Sequence, residues 1–294
     1  MDNSSITPHY NPSADIVTLD IVILTSYIVT FIIGLCGNAL VLAIIGYHSE
    51  VRQKSVANYY IWNLSLADML FILTLPFFFY TSYAKDWPFG NVMCKVGFVL
   101  KETNRFSSIF TLVALSFDRF IASFYNLGHL RTIRVGICTC VVIWFLCAMI
   151  SSPYWLFAHT FVGHHEFYKD NMTIQRPVTK CEFNWPWDEN PNLQTFWVYF
   201  QFVIGLVIPF LIIFVSYTML AYRLRRLTKS GQHNSIKKPS RKTTRTVVVV
   251  VLLFLVCQIP HYTTELWSLQ KRQKANRGEM PSGIEVSKFI FEDE

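Results

Sequence analysis

Long apolar runs separated by polar segments are the dominant pattern along this chain of 294 residues. A helix rises about 1.5 Å per residue, so about 20 apolar residues are enough to cross the hydrocarbon layer of a bilayer. The pattern predicts an all-α membrane helical bundle with six clear spans, at about residues 21–47, 57–83, 94–126, 135–157, 193–222 and 246–268. Residues 1–20 are predicted to be an extracellular segment, and residues 269–294 a polar tail that is extracellular or disordered.

Composition supports a membrane protein, because 52% of the residues are hydrophobic and only 15% are charged. A soluble protein with this proportion of apolar residues would need more charged residues to cover its surface. The net charge of +7 does not indicate nucleic-acid binding, since the basic residues concentrate in loops. Between residues 223 and 245, nine are Lys or Arg and none is acidic, which predicts a cytoplasmic loop. The N-terminus, Cys94 and Cys181 then lie outside the cell, and Arg119 lies inside.

The predicted outer segments contain two cysteines and two glycosylation sequons. Cys94 and Cys181 are the only cysteines placed outside the membrane, which favours a disulfide between the third span and the polar segment 159–192. That segment has too little apolar periodicity to cross, and its aromatic residues suit an interfacial lid. Asn3 and Asn171 each begin a sequon on the outer side and are candidate glycosylation sites.

A few polar groups interrupt the apolar runs. Lys101, Asn104 and Ser108 recur at spacings of three and four in the third span, so they share one helical face. A charge facing lipid is costly, so this face is predicted to look into the protein or a wet cavity. Asp68 is the single charge of the second span and is predicted to have a partner or to bind an ion. Pro76 is expected to kink the same helix.

These features together resemble the rhodopsin-like family of G-protein-coupled receptors over about residues 21–266. The motifs that carry the resemblance are Gly37-Asn38, Leu66-Ala67-Asp68, Trp87, Cys94 with Cys181, Asp118-Arg119-Phe120, Trp144, Pro209 with Tyr217, and Phe254, Cys257 and Pro260. Leu75-Pro76-Phe77 and Asn104 look most like the somatostatin, opioid and allatostatin-C peptide-receptor group. The resemblance implies a seven-transmembrane fold in the plasma membrane, a neuropeptide or peptide-hormone ligand and a heterotrimeric G protein as partner.

The resemblance also implies roles for individual residues. Asp118 holds Arg119 in the resting state, and activation swings the sixth span outward to open a G-protein site. Segment 223–245 contains no acidic residue that could tie Arg119 to the sixth span, and Thr244 is left as a weaker partner. We therefore predict that Arg119 is only loosely restrained in the resting state. An allosteric sodium ion at Asp68, Asn104 and Ser108 is the one cofactor expected, since oxygen ligands suit such an ion. The coupling and switch residues are Asp118, Arg119, Tyr217, Thr244, Ile109, Pro209 and Phe254.

The resemblance also implies ligand contacts in the third span. Lys101 and Glu102 lie roughly 10 Å inward of Cys94 along the helix, where this family binds the deep end of its ligands. Lys101 either meets a carboxylate or carbonyl of a peptide or pairs internally with Glu102 or Glu265. The acidic outer loops would attract a basic peptide at long range. The predicted ligand-binding residues are Lys101, Glu102, Asn104, Gln258 and Tyr262.

Two departures from the family stand out. Gln258 occupies the position, two residues before Pro260, where the family usually has tryptophan. After the sixth span, neither a seventh apolar run nor an Asn-Pro-x-x-Tyr motif follows, so we expect the chain to be truncated before the seventh span.

The truncation leaves a second function open, in which a non-signalling chain associates with full-length receptors and sequesters them. Membrane lipid and other receptors are then partners as well. Enzymatic activity is not expected, because the His164-His165-Glu166 cluster lacks zinc-ligand spacing and the chain has no glycine-rich phosphate loop.

Overall fold

The computed structural model describes residues 12–48, 50, 52, 55–122, 131–169, 172–183, 191–229 and 241–276, most of them helical. The predicted all-α membrane fold class is confirmed, with one added β-hairpin. In chain order the elements are α1 Pro12–Tyr47, α2 Val56–Ile72, α3 Leu75–Ala84, α4 Gly90–Ala122, α5 Ile133–Phe157, β1 Ala158–Lys169, β2 Met172–Phe183, α6 Pro191–Phe202, a π-helical turn Val203–Val207, α7 Ile208–Lys229 and α8 Arg241–Asn276.

Within this described part, four helical stretches are long and apolar enough to cross a membrane. They are Ile21–Tyr47, Val56–Ala84, Ile133–Phe157 and Asn192–Arg223. α4 is 33 residues long but carries several charged side chains along its length. Many large apolar side chains of the four stretches are exposed, among them Ile33 and Phe145. Such a surface suits contact with lipid rather than with water.

Pro76 separates α2 from α3. α2 ends at Ile72, α3 begins at Leu75, and Pro76 occupies the first turn of the second helix. A proline inside a helix removes one backbone hydrogen bond and clashes with the carbonyl four residues earlier. The break therefore falls on the N-terminal side of the proline, and the Thr74 hydroxyl donates to the Phe71 carbonyl at 2.6 Å across it.

The polar segment after α5 forms an antiparallel hairpin that the sequence did not predict. β1 and β2 pair from Ala158 opposite Phe183 to Lys169 opposite Met172. Irregular alternation of polar and apolar residues gave no strand signal, but antiparallel pairing satisfies the backbone groups of both segments. The hairpin therefore gives ordered backbone to a segment for which only an interfacial lid was expected.

α8 continues beyond the predicted end of the sixth span at residue 268. It ends at Asn276, so residues 269–276, predicted as tail, are helical. This last part is rich in Gln, Lys, Arg and Ala, which favour helix. In addition, the Lys271 ammonium lies 3.8 Å from the ring centroid of Trp267, one helical turn earlier.

Internal contacts divide the chain into two compact units. Unit one comprises Met1–His48, Ser65–Asn104 and Ala148–Asn184, and unit two comprises Ser49–Leu64, Arg105–Cys147 and Trp185–Glu294. In unit one, α1 packs on α2 closely enough that a Cβ on Gly34 would lie 2.7 Å from Ile72 Cδ1. The core of unit two is a cluster of buried apolar side chains: Val56, Ala57, Tyr60, Ile109, Leu112, Leu115 and Ile213.

Candidate functional site

The predicted coupling residues begin with Asp118, near the end of α4 in unit two. Its buried carboxylate accepts two hydrogen bonds from Arg131, at 2.8 Å from Nε and 3.2 Å from Nη2. Arg119, the predicted partner, is farther away, with its Nε 3.8 Å from Asp118 Oδ2. Arg131 lies between α4 and α5 and carried no motif signal in the sequence. It precedes α5, the start of which packs closely against Val56 of α2.

The predicted switch residues lie in or against the core of unit two. Ile109 is fully buried in the apolar cluster, and Tyr217 of α7 packs against it. Pro209, near the start of α7, is also fully buried. The side chains of Thr244 and Phe254 belong to α8 but fall outside the described part of the structure, so their predicted roles stay predictions.

The Asp68 carboxylate has a partner on α4 in unit one. Asn104 Nδ2 donates to Asp68 Oδ1 at 2.7 Å. Ser108, the third predicted sodium ligand, is buried one turn further along α4 and belongs to unit two. In the part of the chain that is described, no three His, Cys, Asp or Glu side chains group as metal ligands. The sodium ion expected at these residues stays a prediction.

Arg105 lies at the centre of a polar and aromatic cluster that no motif in the sequence indicated. Its Nη1 donates a hydrogen bond to His261 Nε2 of α8. Its guanidinium carbon lies 4.9 Å from the ring centroid of Phe106 and 5.6 Å from that of Tyr262. Tyr262 in turn donates to the backbone oxygen of Gln201 at 3.1 Å. The rule that a charge inside a span faces protein could have identified Arg105, which lies one turn after Lys101.

A π-helical turn makes room for this cluster. Gly205 lies within the turn, and a Cβ at that position would overlap the Tyr262 hydroxyl and lie 3.2 Å from Phe106 Cε1. The missing side chain therefore allows the tyrosine to lie against the backbone of the turn. Single π-turns of this kind often occur at functional positions in helices.

The other predicted ligand residues differ in burial. On α4, Lys101 is exposed, whereas Glu102 is 4% exposed and Asn104 half-buried. The burial pattern thus places Glu102, rather than Lys101, inside unit one. On α8, Gln258 is half-buried and Tyr262 is buried.

The β-hairpin of unit one is held in place by a disulfide and by hydrogen bonds. The predicted Cys94–Cys181 disulfide is confirmed and joins α4 to β2. Beside it, the Trp87 amide donates to the Thr179 carbonyl at 2.8 Å, and the Thr179 amide donates to Asp86 Oδ1 at 2.7 Å. The hairpin is therefore attached to the turn before α4 as well as to α4 itself. Asn3 and Asn171, the glycosylation candidates, lie outside the described residues.

Comparison with known proteins adds the family. The model of the 7 transmembrane receptor (rhodopsin) family matches residues 37–290. The type-1 angiotensin II receptors of Bos taurus and Homo sapiens are each 32% identical to the chain over 244 residues, and that of Gallus gallus is 33% identical. These alignments cover 82% of this chain, and the chain spans 64% of the length of these relatives. The predicted similarity to the somatostatin, opioid and allatostatin-C group stays a prediction.

The match to the family model covers most of the chain. It extends from the Gly37-Asn38 motif of α1 to beyond the end of α8. The chain belongs to the rhodopsin family of seven-transmembrane receptors.

Proposed function

We propose that this chain acts as a G-protein-coupled receptor for a peptide, a neuropeptide or a peptide hormone. The observation that carries the proposal is the 32% identity to type-1 angiotensin II receptors, proteins named for a peptide hormone, over 244 residues. The proposed partners are the peptide outside the cell and a heterotrimeric G protein inside it. The proposed location is the plasma membrane, with the N-terminus extracellular.

Two features support this orientation. The nine basic residues between 223 and 245 suit the cytoplasmic side, where positively charged loops are retained. The Cys94–Cys181 disulfide suits the opposite side, because disulfides persist in oxidising compartments. The hairpin and the turn before α4 then face the extracellular medium.

For the deep end of the ligand we propose contact with Arg105 and the aromatic groups around it. A guanidinium is a planar donor that binds a carboxylate through two parallel hydrogen bonds. Phe106 and Tyr262 lie against the guanidinium and restrict its orientation. A carboxylate on the peptide is therefore the proposed chemical partner. Lys101, Glu102, Asn104 and Gln258 stay candidate contacts.

On the cytoplasmic side we propose that Arg119 contacts the G protein during signalling. Its charge persists at all physiological pH values, and its donor fork suits backbone carbonyls of a partner. We further propose that a sodium ion at Asp68 and Asn104 modulates signalling, since a hard cation takes oxygen ligands. Their 2.7 Å hydrogen bond already brings the two side chains together.

The decisive experiment is a G-protein dissociation assay in cells that express the chain with an N-terminal epitope tag. Tag staining on intact cells establishes surface delivery and the extracellular N-terminus. A peptide panel should then yield at least one agonist, and Arg119→Gln should abolish its signal at equal surface level. A chain that reaches the surface and stays silent with every peptide and G protein would contradict the proposal. It would favour the alternative of a partner that sequesters full-length receptors.

The proposed ligand chemistry has a separate test. Once an agonist is found, its free-acid and C-terminally amidated forms are compared on wild type, Arg105→Gln and Arg105→Lys. A charge-assisted hydrogen bond contributes about 1.5–3 kcal/mol, which corresponds to a potency loss of about tenfold or more. Arg105→Gln should therefore weaken the acid and leave the amide unchanged. Lys274→Met, at an exposed lysine of α8 that is not among the candidate contacts, is the control. Equal losses for both peptide forms would assign Arg105 a structural role instead.

A further inference from the structure

Asp118 lies beside two arginines, and their contacts with it are unequal. Arg131 donates to Oδ1 at 2.8 Å and to Oδ2 at 3.2 Å, whereas the Arg119 Nε lies 3.8 Å from Oδ2. Paired hydrogen bonds from one guanidinium are stronger and more directional than a single distant charge contact. Arg131 is therefore the principal partner of the Asp118 carboxylate in this conformation.

The position of Arg131 is set by the packing of two helix starts in unit two. Its Nη2 also donates to Ser55 Oγ at 3.2 Å, and the same oxygen accepts from the Ala57 amide at 3.3 Å in the first turn of α2. At the start of α5, a Cβ on Gly136 would lie 2.7 Å from Val56 Cγ1. Because α5 approaches α2 this closely, Arg131, two residues before α5, is brought next to Ser55.

Because the Asp118 carboxylate is buried, it matters which arginine pairs with it. The Asp118 side chain is 3% exposed, against 14% for Arg119 and 30% for Arg131. A buried carboxylate is stable only when it is paired and hydrogen-bonded. Arg131 meets that requirement, because it engages both carboxylate oxygens while its own side chain stays the more solvent-exposed of the two arginines. Arg119 is thereby spared from neutralising Asp118 by itself.

We propose that Arg131 is a positioning residue that engages Asp118 and so keeps the Arg119 guanidinium available for a G protein. The proposal rests on the proposed coupling of this chain to a G protein, but the pairing itself does not. It changes the expected resting arrangement, in which Asp118 alone restrains Arg119. Without Arg131, Arg119 is the described cation that already lies near Asp118, at 3.8 Å, and it would close onto the carboxylate.

The functional test measures nucleotide exchange on the G protein in membranes. Arg131→Gln should lower basal and peptide-stimulated exchange about fivefold, the lower end of usual coupling effects. Arg131→Lys should retain part of the activity, because an ammonium keeps the charge without the planar fork. Arg134→Gln, at an exposed arginine three residues later, removes the same charge and should change little. In an Asp118→Asn background, Arg131→Gln should have no further effect. A rise in exchange, or an equal fall in both backgrounds, would overturn the proposal.

A second measurement does not depend on signalling. The Tm of the purified chain in detergent is measured for Asp118→Asn, Arg131→Gln and their combination, and for the same cycle with Arg119→Gln. The Asp118–Arg131 cycle should be strongly non-additive and the Asp118–Arg119 cycle nearly additive. If no G protein responds but this result holds, the proposed function fails while the pairing stands. A larger coupling to Arg119 would show that the pairing is wrong.

Discussion

Asn63 connects three helices in unit two through its amide group. The side chain is buried; its Nδ2 donates to Thr111 Oγ1 at 2.9 Å, and its Oδ1 accepts from Trp144 Nε1 at 2.7 Å. We predict that Asn63→Ala removes both bonds without a replacement, because Asn63 and Thr111 are buried. Hydrogen bonds inside membrane proteins contribute about 0.6 kcal/mol on average and at most about 1.7 kcal/mol. The expected loss is therefore about 1–3 kcal/mol.

The measurement is thermal unfolding of the purified chain in detergent, followed by circular dichroism. Two variants divide the effect: Trp144→Phe keeps an aromatic ring but removes the N–H, and Thr111→Val keeps the shape but removes the hydroxyl. Each should give about half the decrease in Tm of Asn63→Ala. In the Asn63→Ala background, neither should lower Tm further. The reasoning is refuted if Asn63→Ala unfolds at the wild-type temperature, or if Trp144→Phe costs the same with and without Asn63.

Two further predictions concern the contact at Gly205 and the disulfide. Gly205→Ala should lower Tm by several degrees and displace the Tyr262 side chain, because the new methyl group would overlap the tyrosine hydroxyl. Gly37→Ala, with open space at its Cβ, should be neutral or slightly stabilising in the same thermal assay. Cys94→Ser should leave Cys181 reactive to a membrane-impermeant maleimide on intact cells and reduce surface expression; wild-type Cys181 should not react, and labelling of wild type would contradict the disulfide.

Hydropathy was sufficient to predict the fold class, because a bilayer requires long apolar helices and tolerates few alternatives. The disulfide was also predictable, since topology left only Cys94 and Cys181 in an oxidising location. The hairpin was not, because antiparallel pairing depends on register rather than on a strong local pattern. Nor was the extension of α8 to Asn276, where the sequence loses its apolar character but keeps good helix formers.

The sequence indicated candidate site residues only where a motif contained them, and their roles in signalling stay predictions. Asp118 was found in this way, but its closest partner was not, because Arg131 lies beyond the helix and reaches the carboxylate through the packing of α5 on α2. Arg105 was missed for another reason. It occurs in a helix with other charges, and spacing alone does not show which of them contacts His261 on a distant part of the chain.

These polar groups share one physical constraint, and it separates them into two kinds. A polar group in an apolar helix must be satisfied by protein, so each selects a partner on another element. The hydrogen bonds of Asn63 hold helices together. Because their donors and acceptors are neutral, breaking these bonds would leave buried polar groups unsatisfied. Asp118 has two cationic neighbours, so its bonds can pass from one arginine to the other without leaving the carboxylate buried and unpaired. Bonds of the first kind are expected to determine the stability of the fold. Bonds of the second kind are where a conformational change requires the least free energy.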